Sequence, residues 1–191
     1  MPYKHIFFDL DHTLWDFEAN ARETLLELYH THHLAARGIA HFDEFHRCYT
    51  AHNNRMWGRF RKGFITRKEV RSKRFWLTFL DYKIADEKLT HLFSEQFLEI
   101  LPTKTVLFPY TTEILGYLQQ KQYTLHLITN GFEDTQLMKL RNANIFHYFT
   151  HIITSEAAGS LKPHAAIFDF ALQKSSATAA ESIMIGDTLE V

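Results

Sequence analysis

The sequence has a single cysteine, no excess of charge of either sign and no long hydrophobic run. Cys48 alone can form no internal disulfide, and a four-cysteine zinc site is excluded. This cysteine usage favours a reducing compartment, and we expect the cytoplasm. The 21 basic and 22 acidic residues give a formal net charge of -1. The whole-chain charge therefore favours neither nucleic acid nor a membrane surface as a partner.

The apolar run near the N-terminus covers only residues 4–10, which is too short for a signal peptide or a membrane span. The composition nevertheless supplies a core, because 46% of the residues are hydrophobic and 15% are aromatic. One or two domains fit a chain of 191 residues. There is no internal repeat and no low-complexity segment.

The run at residues 4–10 predicts a buried strand, and helical patterns follow it. Asp16 is the predicted N-cap of the first helix, and Gly38 ends that segment. Further helices are predicted at about 43–60, 66–80 and 86–100, with Thr66 and Glu69 as a capping box. No strand-like run interrupts these helices. We therefore predict an inserted all-helical cap domain at 16–104 and a core formed by 1–15 and 105–191.

Helices and strands alternate after Pro109. Helices are predicted near 112–120, 133–142 and 163–174, and strands at 123–129, 151–155 and 182–186. This alternation predicts right-handed β-α-β units in a doubly wound parallel sheet of the Rossmann-like α/β class.

Polar residues follow four of the predicted strands, where ligands bind in open α/β sheets. Asp9 and Asp11 are two positions apart, so their side chains lie on the same side while Leu10 faces the interior. Two carboxylates this close repel each other unless a cation lies between them, and hard oxygen ligands favour Mg²⁺. Asp187, after the last predicted strand, can supply a further carboxylate.

These residues can perform phosphoryl transfer. A carboxylate attacks phosphorus, a second acid protonates the leaving oxygen, and fixed positive charge balances the phosphoryl oxygens. Asp9 and Asp11 can divide the first two roles. Thr129, the backbone amides after it and the ammonium of Lys162 can hold the phosphate.

In this order, the four strand ends resemble the four motifs of the haloacid dehalogenase-like hydrolases. The resemblance implies that Asp9 forms an aspartyl-phosphate and that Asp11 is the acid/base and lends its backbone carbonyl to magnesium. It also implies that Thr13 orients the loop and that the His12 amide binds phosphate. The predicted catalytic residues are Asp9, Asp11, Thr129 and Lys162. The predicted phosphate- or substrate-binding residues are His12, Thr13, Thr129, Asn130, Gly131 and Lys162. The predicted metal ligands are Asp9, Asp11 and Asp187.

Four short segments look most like the intracellular pyrimidine-type nucleotidases: 8–14, 128–132, 154–156 and 162–163. This closer resemblance implies a nucleoside 5'-monophosphate as the substrate. Phosphoglycolate and sugar phosphates stay open as alternatives. Dehalogenases of the same superfamily typically lack the second aspartate of the first motif, so Asp11 favours a phosphatase.

The chain departs from the family pattern after Asp187, where another acidic residue, a strand and a helix usually follow. It ends at Val191, and Glu190 is the only acidic residue left to substitute. We therefore expect a C-terminally truncated polypeptide. An inactive phosphate- or nucleotide-binding module is the alternative from a different functional class.

Other side chains allow competing interpretations. A basic run at 59–74 is interleaved with aromatics, but a solvated helical face over buried aromatics is favoured over a nucleic-acid site. His30, His32 and His33 are interpreted as solvated helix-end residues, and Cys48 as a packed small residue. Six aromatics are candidates both for stacking on a base and for the core: Trp15, Phe17, Trp57, Phe60, Phe64 and Phe132.

Overall fold

The computed structural model describes residues 3–188. The chain divides into two compact units. The first contains the residues up to Asn20 and those from Pro102 onward, and the second is Ala21–Leu101. Within the described residues, no helix combines the length and apolar character needed to cross a membrane.

The first unit is built on a sheet of four parallel strands, in the order β3-β2-β1-β4. The strands are β1 (His5–Phe8), β2 (Thr124–Thr129), β3 (His151–Thr154) and β4 (Ser182–Ile185). In register, Phe8 lies beside Leu127 on one neighbour and Ile185 on the other. The carboxyl ends of β1 and β2 therefore meet at the same edge of the sheet. This confirms the parallel α/β class predicted from the alternation of helices and strands.

Helices α5 (Thr111–Gln120), α6 (Glu133–Asn142), α7 (Ser155–Ala158) and α8 (Ala165–Ser175) complete this unit. Phe7, Ile128 and Ile153, on three neighbouring strands, pack with Ile167 and Ala171 of α8 in one buried cluster. Because successive strand residues face opposite sides, these three side chains form a single apolar face. At the edge of the sheet, the β4 strand has intermediate to exposed side chains.

A row of stacked histidines crosses the same face of the sheet. The His126 ring stacks on His5 at a centroid distance of 5.3 Å and on His151 at 5.4 Å. Phe7 stacks on His126 at 4.7 Å. His126 is 1% exposed, and within residues 3–188 its buried Nδ1 has no hydrogen-bond partner.

The second unit is helical. Its helices are α1 (Phe17–Thr31, which begins in the first unit), α2 (Phe42–Arg61), α3 (Arg67–Asp81) and α4 (Glu87–Ile100). The predicted capping box is present, with the Glu69 N–H donating to Thr66 Oγ1 at 3.3 Å and the Thr66 N–H donating to the Glu69 carboxylate at 2.8 Å. The core is aromatic: Phe75 stacks on Tyr49 at 5.1 Å and meets Phe93 and Phe97 at 5.2 Å each.

The contact division at Ala21 and Leu101 differs by a few residues from the predicted boundaries at 16 and 104. Asn20 explains the shift on the N-terminal side. Its side chain donates to the Val106 carbonyl at 2.8 Å and accepts from the Val106 N–H at 3.0 Å. Asp16 caps α1 as predicted, accepting from the Ala19 N–H at 2.9 Å. The first turn of α1 is thus bonded to the core segment.

All four strands are shorter than the sequence predicted, β2 and β4 by one residue each. β1 ends at Phe8 rather than at residue 10, because the Leu10 carbonyl accepts the N–H groups of Leu14 and Trp15 and so begins a loop. β3 ends at Thr154, because its hydroxyl accepts from the Ala157 N–H at 3.2 Å and caps the short helix α7.

Candidate active site

The loop after β1 carries two carboxylates on one side and an apolar side chain on the other. Leu10 is fully buried, while Asp9 is 8% exposed and Asp11 is intermediate. The Asp9 N–H donates to the Ile185 carbonyl at 2.9 Å, which continues the pairing of β1 with β4 past the end of the strand. The predicted alternation of Asp9, Leu10 and Asp11 is therefore present.

Asp9 and Lys162 form a buried ion pair. Lys162 Nζ donates to Asp9 Oδ1 at 2.6 Å, and the two side chains are 2% and 11% exposed for lysine and aspartate respectively. Burial raises the pKa of Asp9, whereas the charge and hydrogen bond of Lys162 act to lower it. The ammonium thus favours the ionised carboxylate that a nucleophile requires.

Asn130 holds the main chain of Lys162. Its Nδ2 donates to the Lys162 carbonyl at 3.0 Å, and its Oδ1 accepts from the Lys162 N–H at 2.7 Å. The side-chain amide is occupied by these two bonds. Any contact of Asn130 with an anion would therefore use its backbone N–H.

Thr129 ends β2 and fixes the turn that follows. Its hydroxyl oxygen accepts from the Gly131 N–H at 3.0 Å and from Gln136 Nε2 at 2.7 Å. A Cβ on Gly131 would lie 2.4 Å from Gln136 Cδ. A larger residue at position 131 would have to displace the Gln136 side chain from its bond with Thr129.

Asp11 is bound by two α6 residues that the sequence analysis missed. Lys139 Nζ donates to Asp11 Oδ1 at 2.6 Å, and Gln136 Nε2 donates to Asp11 Oδ2 at 3.0 Å. The Lys139 ammonium also lies over the rings of Trp15, at 4.2 Å, and Phe17, at 5.6 Å. The sequence signal for these two polar residues was their i, i+3 spacing in the helix directly after the second motif, because this spacing places both side chains on one face of the helix.

His12 and Thr13 differ in how they fit their predicted roles. The His12 N–H donates to the Trp15 carbonyl at 3.0 Å, so this amide closes the loop and is not directed at an anion. This corrects the expectation for the His12 main chain. Thr13 Oγ1 is buried, and no partner for it is found within residues 3–188. A buried hydroxyl of this kind can donate a hydrogen bond to an oxygen of a ligand.

Asp187 follows β4, the strand next to β1, and is exposed. Asp9, Asp187 and the Asp11 backbone carbonyl are hard oxygen donors from two adjacent strand ends, and this donor chemistry fits Mg²⁺. The Asp11 carboxylate is already bonded to Lys139 and Gln136. Glu190 lies outside the described residues.

Several aromatic candidates for base stacking are buried instead. Trp15 is fully buried and Phe132 is 5% exposed, so neither ring is free to stack. Phe17, Trp57 and Phe60 are intermediate, whereas Phe64 is 65% exposed.

Two of the competing interpretations need correction. Arg74 belongs to the basic run but is only 3% exposed, so it is not part of a solvated face. Its guanidinium lies 4.8 Å from the Phe97 ring and donates to Asn53 Oδ1 at 3.0 Å. Of the three helix-end histidines, His32 is partly buried and lies 2.6 Å from Gln96 Oε1.

The parallel sheet thus carries a lysine-paired aspartate at the end of β1, one of its interior strands. The family model for haloacid dehalogenase-like hydrolases matches residues 3–190. The chain belongs to this family, as its four motifs predicted.

Three curated relatives align with nearly the whole chain. The putative HAD-hydrolase YfnB of Bacillus subtilis is 28% identical, with 98% of this chain and 77% of the relative covered. The pyrimidine 5'-nucleotidase PynA of Streptococcus pneumoniae is 27% identical, with 99% and 77% covered. The pyrimidine 5'-nucleotidase YjjG of Escherichia coli is 28% identical, with 100% and 80% covered.

Solved structures agree with the fold. The magnesium-bound crystal structure of YfnB from Bacillus subtilis superimposes with a TM-score of 0.88 at 27% identity, covering 100% of this chain and 82% of that one. The L-2-haloacid dehalogenase of Xanthobacter autotrophicus gives a TM-score of 0.71 at 16% identity, covering 95% of this chain and 69% of that one. The second likeness concerns the fold alone.

Proposed function

We propose that this chain is a magnesium-dependent phosphomonoester hydrolase that uses Asp9 as its nucleophile. The observation that carries the proposal is the buried Asp9–Lys162 pair at the end of a central strand, with Asp11 two residues further along the loop. A carboxylate kept next to a fixed ammonium can attack phosphorus while that ammonium offsets charge on the phosphoryl oxygens.

In the first step, an Asp9 oxygen forms a bond to phosphorus while the bond to the leaving oxygen breaks. Asp11 donates a proton to that oxygen, and Lys139 and Gln136 orient its carboxylate through their hydrogen bonds. In the second step, Asp11 takes a proton from water, which attacks phosphorus and releases Asp9. Asp9, Asp187 and the Asp11 carbonyl would hold Mg²⁺, which would supply positive charge for the phosphoryl oxygens.

Thr129, Thr13 and the Asn130 amide are the proposed phosphate contacts, whereas the Gly131 amide already donates to Thr129 Oγ1. The unpartnered Thr13 hydroxyl supports a role in ligand binding. Asn130 acts through Lys162, because its side chain is bonded to the Lys162 main chain.

The substrate class we propose is the nucleoside 5'-monophosphates. Two relatives named as pyrimidine 5'-nucleotidases support it, since each aligns with nearly the whole of this chain. A small phosphosugar is the second candidate. It is favoured by a glyceraldehyde 3-phosphate phosphatase of Methanothermobacter thermautotrophicus that is 38% identical over 80 residues, covering 42% of this chain and 35% of the relative. We retain the cytoplasm as the proposed location.

The test is phosphate release from nucleoside monophosphates and sugar phosphates, with and without Mg²⁺. Asp9→Asn keeps the shape of the side chain but removes the nucleophile, so we expect a loss of at least about 10³-fold in kcat. Asp169→Asn, an exposed carboxylate of α8, is the matched control and should retain activity.

Three outcomes separate the alternatives. Magnesium-dependent release that requires Asp9 supports the phosphatase, and the ranking of substrates decides between nucleotide and phosphosugar. Equal release by Asp9→Asn contradicts the mechanism. A folded chain that binds a phosphate analogue but releases nothing supports the inactive binding module instead.

A further inference from the structure

Cys48, His52 and Asp81 converge within the helical unit. Cys48 and His52 lie one turn apart on α2, and Asp81 is the last residue of α3. Asp81 Oδ2 lies 3.0 Å from Cys48 Sγ and 2.8 Å from His52 Nε2. Within residues 3–188, these are the three His, Cys, Asp or Glu side chains whose ligand atoms all lie within 4.8 Å of one another.

The donor set has the chemistry of a transition-metal site. A thiolate, an imidazole and a carboxylate are the protein ligands of Zn²⁺, and two side chains at i, i+4 on one helix face present their donor atoms together. Around a tetrahedral ion, ligand atoms are about 3.5 Å apart. The two separations from Asp81 Oδ2 are shorter than this spacing by less than about 1 Å. The Asp81 side chain is 57% exposed and so has room to move.

The position of Asp81 also calls for a cation. The last turn of a helix disfavours negative charge, because the helix dipole is negative at that end. The contacts with Cys48 and His52 both use the same carboxylate oxygen, Asp81 Oδ2.

We propose that Cys48, His52 and Asp81 bind one divalent ion of the zinc class, with a fourth coordination position open to water. Binding replaces the S–H···O contact with a bond from sulfur to the metal, and the thiol proton passes to solvent. The ion would link α2 to α3 within the helical unit. It is separate from the magnesium ligands proposed above, and it does not depend on the proposed phosphatase activity.

Cobalt titration provides a specific readout. Because Cys48 is the only cysteine in the chain, a thiolate-to-cobalt absorption band in the near ultraviolet can come only from this residue. We expect one equivalent of Co²⁺ to give this band together with visible bands of tetrahedral cobalt, and Zn²⁺ to abolish both. Co²⁺ bound at Asp9 or Asp187 gives no sulfur band.

The variants are Cys48→Ser, His52→Gln and Asp81→Asn, with circular dichroism to confirm that each remains folded. Cys48→Ser should abolish the band. Removing an outer partner of a metal ligand costs about 10-fold or more, so loss of the ligand in His52→Gln or Asp81→Asn should weaken binding at least as much. His91→Gln, an exposed histidine of α4, and Asp9→Asn should retain the band.

Absence of the sulfur band from the folded protein overturns the proposal. A band that neither His52→Gln nor Asp81→Asn weakens also overturns it, because that result describes cobalt bound by the thiolate alone.

Discussion

Lys162 and Asp9 balance each other's charge in a site from which most water is excluded. The lysine side chain is 2% exposed, so its ammonium acts on Asp9 with little screening by solvent. Burial by itself would favour the protonated acid. In the proposed mechanism, the lysine therefore has two effects that can be measured separately, one on the ionisation of Asp9 and one on the transferred phosphoryl group.

Replacing Lys162 with glutamine should change both the rate and its pH dependence. Without the ammonium, the pKa of Asp9 rises further, and the active ionised form is lost at a higher pH as the solution is acidified. We expect the acid limb of kcat/KM to move to higher pH and kcat to fall by about 10²-fold or more.

The measurement is a pH–rate profile for the wild type and Lys162→Gln. Lys174→Gln, on the exposed surface of α8, is the control and should leave the profile unchanged. A lower rate with an unshifted acid limb would contradict the proposed effect on Asp9.

Lys139 is a positioning residue for Asp11 in the proposed mechanism. Lys139→Met keeps the length of the side chain but removes the ion pair with Asp11. We expect kcat to fall by about 10-fold with a smaller change in KM, because proton donation to the leaving oxygen is impaired.

The leaving group distinguishes this role from a structural one. Nitrophenyl phosphate departs without needing a proton, so Lys139→Met should affect it less than it affects an alkyl phosphate such as a nucleotide. Asp11→Asn should show the same pattern, and Lys121→Met, on the surface, should show neither effect. Equal losses on both substrates would assign Lys139 to the fold rather than to proton transfer.

Sequence reasoning found the residues of the site that end strands and missed those on a helix. Asp9 and Thr129 lie at the ends of apolar runs and so stand out, whereas Lys162 lies in the loop after α7 and was found through its match to the family motifs. Gln136 and Lys139 are polar positions in a short polar helix, where a buried residue and a solvated one give the same pattern. Their burial depends on the loop after β1, which is distant in sequence.

At the level of the strands, the histidine row makes the sheet sensitive to acid. Burial, followed by the charges of His5 and His151, lowers the pKa of His126 to about 4. A histidine with a lowered folded-state pKa contributes stability that is present above its unfolded pKa of about 6.5 and is lost as the pH falls towards 4. The loss is on the order of 3 kcal/mol.

Denaturant unfolding between pH 7 and pH 4 measures this effect. His126→Phe keeps a ring between His5 and His151 but cannot titrate, so its free energy of unfolding should fall less over this range than that of the wild type. His91→Gln, on an exposed helix face, should behave like the wild type. An equal decline in His126→Phe would show that other groups cause the acid sensitivity.

Helix boundaries were predictable to within a few residues, because they depend on local signals. The Thr66–Glu69 capping box and the Asp86 cap both start helices where the sequence placed them. The stacking of His5, His126 and His151 was not predictable, since it depends on the register of three strands that only the folded sheet defines.

At the scale of the whole chain, two units with separate cores are covalently continuous. The three tryptophans report on them separately, because Trp15 lies in the first unit and Trp57 and Trp76 in the second. Phe75 is fully buried in the aromatic core of the helical unit. A substitution there tests whether the units unfold together.

Phe75→Ala should destabilise the helical unit by about 3–5 kcal/mol, because it leaves a cavity among several rings. In a Trp15→Phe background, the fluorescence of Trp57 and Trp76 reports on the helical unit. Its unfolding transition should move to a lower denaturant concentration. In a background with Trp57→Phe and Trp76→Phe, the fluorescence of Trp15 reports on the first unit. The denaturant concentration of its unfolding transition should shift less. Phe64→Ala, at an exposed ring, should cost little. Equal shifts in both backgrounds would mean that the two units unfold as one.

The family and the topology were both predictable because their signals recur along the chain. The substrate was not predictable, because no contact described for the helical unit identifies the leaving group of a substrate.

The order in which the chain is synthesised has a consequence for the Asp9–Lys162 ion pair. Asp9 and Lys162 are 153 positions apart, and β1 pairs with β2 and β4, both of which follow the helical unit. On the ribosome, all of Ala21–Leu101 is made before the first neighbour of β1 is translated, so the helical unit can fold while β1 is still an unpaired apolar segment. Asp9 is therefore synthesised 153 positions before Lys162, the residue that balances its charge.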